Sequence, residues 1–109
     1  IGVLLGSKPA ELDMQVHKYG RTTGYTTGYI SSLDTDIVVE YANSKYLFQN
    51  QIIVRSLDAK AFGLEGDSGA VVVQKDEGKV VGLLFGGSDS HAIVNHIEDV
   101  LRELNVELL

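Results

Sequence analysis

Between Met14 and Phe85 apolar and polar residues alternate in short bursts, with the two-residue period of half-buried β-strands. Six short runs have strand character: Met14–Tyr19, Thr26–Leu33, Asp36–Ala42, Tyr46–Arg55, Ala70–Gln74 and Val80–Phe85. Turn formers separate most of them, at Gly20 to Gly24, Asp34-Thr35, Asn43-Ser44 and Asp76-Glu77-Gly78. The last of these turns predicts a hairpin between the final two runs. Residues 56–69 form the longest stretch without alternation, which is where a rigid β scaffold usually carries its chemistry. Beyond them the period changes. Ile93, Ile97, Val100, Leu101 and Leu104 fall at i, i+4, i+7, i+8 and i+11, an apolar helical stripe. Asn95 followed by Glu98 resembles a capping box, so a helix is expected from about His96 to Asn105.

These elements predict an all-β domain: a six-stranded antiparallel barrel over residues 14–109, closed by a C-terminal helix. Residues 1–13, broken by Gly, Ser-Lys-Pro and acidic positions, read as a connector. Composition agrees. Hydrophobic residues make up 44% of the 109 and charged ones 22%, as in a single globular core, and the chain is rich in Val, Ile, Thr, Tyr and Gly. The formal charge of −6 argues against nucleic acid and anionic membrane surfaces as partners, since both require a clustered basic face. Apolar runs near five residues fall far short of the roughly 20 that cross a bilayer as a helix. With no cysteine, disulfides and thiolate chemistry are excluded. The start at Ile1, without Met or a basic leader, is expected of a fragment or a processed chain.

Gly66-Asp67-Ser68-Gly69 has two readings. The bland one is a turn, since Gly, Asp and Ser are the commonest turn residues. The functional one presents Ser Oγ on a tight loop, with backbone N–H groups aimed at a developing oxyanion. The strands on either side of the loop bear on the choice. The segment Glu65-Gly66-Asp67-Ser68-Gly69-Ala70-Val71-Val72-Val73, a Gly turn, and then Val80 to Gly87 resembles the second barrel of the chymotrypsin/trypsin family. Val16-His17-Lys18-Tyr19-Gly20-Arg21-Thr22-Thr23-Gly24 resembles the opening of that barrel in bacterial trypsin-like proteins.

The resemblance implies a Greek-key barrel and a serine endopeptidase that needs no cofactor. It makes Ser68 the nucleophile, the N–H groups of Gly66 and Ser68 the oxyanion hole, and Asp67 the buried carboxylate that pins the loop. The strand Leu83-Leu84-Phe85-Gly86-Gly87 would lie along a peptide or protein substrate. Phe62, six residues before the serine, would sit at the base of a specificity pocket, or else in the core.

The family's His and Asp precede the serine on a first barrel, and only His17 precedes Ser68 here. It reads as a strand histidine, and His91 and His96 as surface or capping residues with no metal-site spacing. An unactivated serine is a poor nucleophile. The chain is therefore expected to need an N-terminal barrel, and the seam that barrel covers to be apolar or filled by another copy. A second reading keeps the fold without the chemistry, as a peptide-binding or assembly module. The five tyrosines read as cross-strand packing. Compartment and substrate are not legible.

Overall fold

The computed structural model describes residues 6–58 and 60–104. Six strands run in chain order: β1 (Gln15–Gly20), β2 (Gly24–Tyr41), β3 (Ser44–Ser56), β4 (Val71–Gln74), β5 (Val80–Gly87) and β6 (Ala92–His96). Helix α1 (Ile97–Leu104) comes next, and a single 3₁₀ turn spans Glu65–Asp67. The strands close into a barrel in the order β1-β2-β3-β6-β5-β4, every neighbouring pair antiparallel. Strands β3 and β4 are consecutive in the chain but not neighbours in the barrel. Their connection must cross from one side of the barrel to the other, and that crossing carries residues 57–70 with the serine motif.

The inward-facing positions fill the barrel, among them Val16, Ile30, Ile52, Val54, Phe62 and Leu84. A second cluster lies on the outer face of β4 and β5, where Val73 and Val80 pack against Ile97 and, at its margin, Val100 and Leu101 of α1. This explains the unbroken valines of β4 and the start of β5: one face meets the core and the other meets the helix. Residues of the expected connector are tied down, since Val80 N–H bonds Gly6 O and Lys8 N–H bonds Val80 O, and Ala10 packs on the core.

Several boundaries differ from the sequence reading. The runs Thr26–Leu33 and Asp36–Ala42 are one strand, because Asp34-Thr35 is accommodated by irregularities of register rather than by a turn. The reversal comes at Ala42-Asn43, both in the left-handed region at φ 50° and 66°, closing a two-residue hairpin. That hairpin extends beyond the barrel, and Val38 and Leu47, directly paired at its outer end, are 63% and 60% exposed.

The sixth strand is β6, which the helical stripe concealed. Ile93 belongs to this strand, paired with Ile53, and α1 begins at Ile97 directly after it, so Asn95 is a strand residue and not a cap. Residues 1–5 of the connector and Asn105, the expected helix end, lie outside the described residues. No helix among the described residues is long and apolar enough to cross a membrane.

Candidate active site: the serine turn and its latch

The site is built where the β3–β4 crossing meets the tip of the β1–β2 hairpin. Residues 21–23 form that tip, so the N–H groups of Thr22 and Thr23 have no ladder partner and need an acceptor from elsewhere. Asp67 supplies it. The residue is 2% exposed, and its carboxylate accepts four hydrogen bonds: from Thr22 N at 2.7 Å, Thr23 N at 3.0 Å, Thr23 Oγ1 at 2.9 Å and Leu64 N at 2.9 Å. Burial alone would raise this carboxyl group. The bonds from Leu64, Thr23 and Thr22 outweigh it, and the group is pushed down to about 2.

Glycine makes the approach feasible. A Cβ on Gly20 would overlap Asp67 Oδ1, and one on Gly66 would overlap Thr22 Oγ1. Bare backbone at these two positions lets the two loops close on each other.

Lys18 lies beneath this latch. The alternation of β1 turns Val16, Lys18 and Gly20 inward, and Lys18 is fully buried. Its ammonium donates to Thr23 Oγ1 at 2.5 Å and to Gly24 O at 2.9 Å, and stands 5.6 Å from the centre of the Phe62 ring. Desolvation lowers its pKa, and the Asp67 charge works against that shift. Thr23 Oγ1 thus receives from Lys18 and gives to Asp67, forming a buried relay of opposite charges joined through one hydroxyl. The sequence reading assigned no role to Lys18, Thr22 or Thr23. The signal was available in the inward phase of Val16, Lys18 and Gly20.

Ser68 comes directly after the latch and is exposed. On its other side Gly69, at φ 91°, donates to Leu84 O at 2.7 Å, and Leu84 N–H returns to Ala70 O at 2.9 Å. Ala70 N–H bonds Asp67 O at 3.0 Å. Ser68 is therefore the exposed residue between two immobilised neighbours, one fixed to the hairpin and the other to β5. Gly66 lies in the 3₁₀ turn, also exposed, and Asp67 N–H bonds Leu64 O at 2.9 Å.

The remaining candidates separate. Phe62 is 2% exposed and is part of the core, with its carbonyl accepting from Thr26 Oγ1 at 2.6 Å. Leu84 points into the core, and Phe85 turns outward to meet Phe48, the two rings tilted at 49° with centroids 4.5 Å apart. The Gly87 backbone lies so close to Gly63 that a Cβ there would overlap the Gly63 carbonyl oxygen. The end of β5 therefore rests on the loop that leads to the serine. The histidines bond elsewhere: His17 Nδ1 with Tyr25 Oη at 2.9 Å, His91 Nδ1 with Ser90 Oγ at 2.8 Å and His96 Nε2 with Leu33 O at 2.8 Å. Among the described residues no group of three His, Asp or Glu side chains is placed to hold a metal.

This architecture is the chymotrypsin-like barrel. Superposition on Thermobifida fusca Protease A gives a TM-score of 0.76 at 22% identity, over 97% of this chain and 54% of that one. Cellulomonas bogoriensis chymotrypsin gives 0.74 at 20%, over 94% of this chain and 53% of the other. At such identities the likeness is one of fold. Over residues 7–102 the chain matches the Nal1 C-terminal domain, and it belongs to that family. It is 32% identical over 79 residues to the Protein NARROW LEAF 1 of Oryza sativa subsp. japonica. That match covers 68% of this chain but only 13% of the rice protein.

Proposed function

We propose that this barrel is the nucleophile-bearing half of a serine endopeptidase, with Ser68 as the attacking group. The observation that carries the reading is the clamped serine: Asp67 held by four hydrogen bonds, Gly69 held to Leu84, and Ser68 exposed between them. Such preorganisation is what nucleophilic catalysis asks of a loop. Ser68 Oγ would add to a peptide carbonyl carbon and pass its proton to a base. The N–H groups of Gly66 and Ser68 would receive the oxyanion, and the base would return the proton to the leaving amine. Water would then hydrolyse the ester, with no cofactor. The peptide would run along Leu83–Gly87. Because all three histidines are engaged away from Ser68, the base and its orienting carboxylate would come from a first barrel. Covering 53–54% of the solved peptidases leaves room for that half.

One observation favours the other reading, a peptide-binding or assembly module. Among the described residues no histidine stands ready as a base for Ser68, since His17, His91 and His96 each bond elsewhere. The deciding experiment treats the protein joined to its own upstream segment with a biotinylated peptidyl phosphonate. Labelling confined to Ser68, and lost together with peptide cleavage in Ser68→Ala, supports the peptidase. Cleavage that survives Ser68→Ala ends the nucleophile assignment, and a folded two-barrel protein that never labels leaves the module.

A further inference from the structure

A cavity of about 630 Å³ opens on the outer face of β2, β3 and β6, away from the core. Its origin is the strand period. On β3, Ile52 and Val54 turn into the barrel, so Ile53 and Arg55 turn out; on β6, Ala92 and Val94 turn in, so Ile93 turns out. The long hairpin adds Thr35 and Ile37 as one wall, and the loop after β5 adds Ser88 and His91 as the other. Ile53 is only 8% exposed, yet it packs in neither core cluster: it is the floor of this hollow.

The chemistry of the lining is lopsided. Ile37, Ile53 and Ile93 form an apolar base, Arg55 is the cation, and among the described residues no Asp or Glu lines the cavity, although the chain carries a net −6. Arg55 makes no ion pair among the described residues. Ser32 and Thr35 bond each other at 2.5 Å, Ser31 Oγ reaches Ile53 O at 3.3 Å, and Ser88 N–H braces the loop on His91 O at 2.8 Å.

We propose that this cavity binds a free peptide carboxyl terminus whose last side chain is aliphatic. The volume falls within the usual range for small-ligand sites, about 300–1,000 Å³. A guanidinium matches a carboxylate in bidentate geometry, and the three isoleucines take the adjoining side chain. An internal Asp or Glu would offer the charge without the apolar body. A fatty acid would offer both, but no peptide N–H for the rim, where the Ser31, Ser32 and Thr35 hydroxyls already bond within the protein and keep lone pairs free to accept. Ser68 does not line the cavity, although Gly87 at its edge also ends the strand along which the proposed substrate would run, and the inference holds whether or not that serine is a nucleophile.

The test is a ¹⁵N–¹H titration of the 109-residue chain with acetyl-Gly-Gly-Val-Leu as the free acid. Its C-terminal amide, acetyl-Gly-Gly-Val-Asp-amide and decanoate serve as comparison ligands. The free acid should shift the amides of Ile53, Arg55, His91 and Ile93. It should bind at least about tenfold more tightly than its amide twin, as expected when a charged partner is lost. Arg55→Gln should lower that affinity by a similar factor while the rest of the spectrum stays in place. Equal binding of the amide, unchanged affinity in Arg55→Gln, shifts clustered elsewhere, or tighter binding of the Asp peptide or decanoate would each overturn the assignment.

Discussion

Thr23 holds the Asp67 carboxylate twice, with its N–H at 3.0 Å and its hydroxyl at 2.9 Å, across 44 positions of chain. The two segments that carry the serine-peptidase resemblance are thus parts of one device. The hairpin tip supplies donors, the serine loop supplies the acceptor, and Lys18 beneath them supplies a counter-charge. Three consequences are measurable.

Asp67→Asn keeps the shape and turns one oxygen into a donor, facing N–H groups of Thr22, Thr23 or Leu64. A buried donor set against donors, with Lys18 left uncompensated, should cost about 2–4 kcal/mol of stability. Urea denaturation reads this directly. A loss below about 0.5 kcal/mol, the scale of a surface substitution, would mean that the latch does not hold the loop.

Acid should release the same latch. The Asp67 carboxyl lies at about 2 in the fold against an ordinary 3.8, so the unfolded chain binds more protons between these values. The stabilisation is present above about pH 4 and is lost as pH falls toward 2. The stability difference between wild type and Asp67→Ala should shrink by about 2 kcal/mol from about pH 6 to pH 2. A difference that is flat across that range would remove the linkage.

Gly20 and Gly86 make a matched pair. A methyl on Gly20 meets the fixed Asp67 carboxylate, and one on Gly86 meets nothing within 4 Å. Gly20→Ala should therefore lower the melting temperature by several degrees, on the scale of about 1–3 kcal/mol of overpacking. Gly86→Ala should leave it within about a degree. Equal effects in the two variants would show that the close approach at Gly20 is relieved without cost.

The barrel, the hairpin after the serine and the terminal helix were legible because each rests on local periodicity. Met14–Tyr19 and Tyr46–Arg55 match β1 and β3 to within two residues at each end. The misreadings share a cause. Asp34-Thr35 has turn chemistry, but the pairing with β3 carries the strand through it with shifts of register. Ile93 fits a helical stripe by spacing, yet hydrogen bonding to β3 and β5 holds it in a strand. Pairing partners distant in sequence overrode local preference at both places.

The sequence by itself determined the class of fold and the existence of a Gly-Asp-Ser-Gly turn on the longest loop, since both depend on nearest-neighbour backbone preferences and the alternation of apolar residues. Only the tertiary structure decided what that turn touches. Closing the barrel sends the β3–β4 connection across to the hairpin tip, and there the orphaned N–H groups of Thr22 and Thr23 take Asp67 as their acceptor. The same closure sets Gly87 against Gly63, and the outward phase of β3 and β6 hollows out the cavity around Arg55. Contacts between segments some forty residues apart depend on how strands pair around the ring, and one-dimensional periodicity carries no record of that.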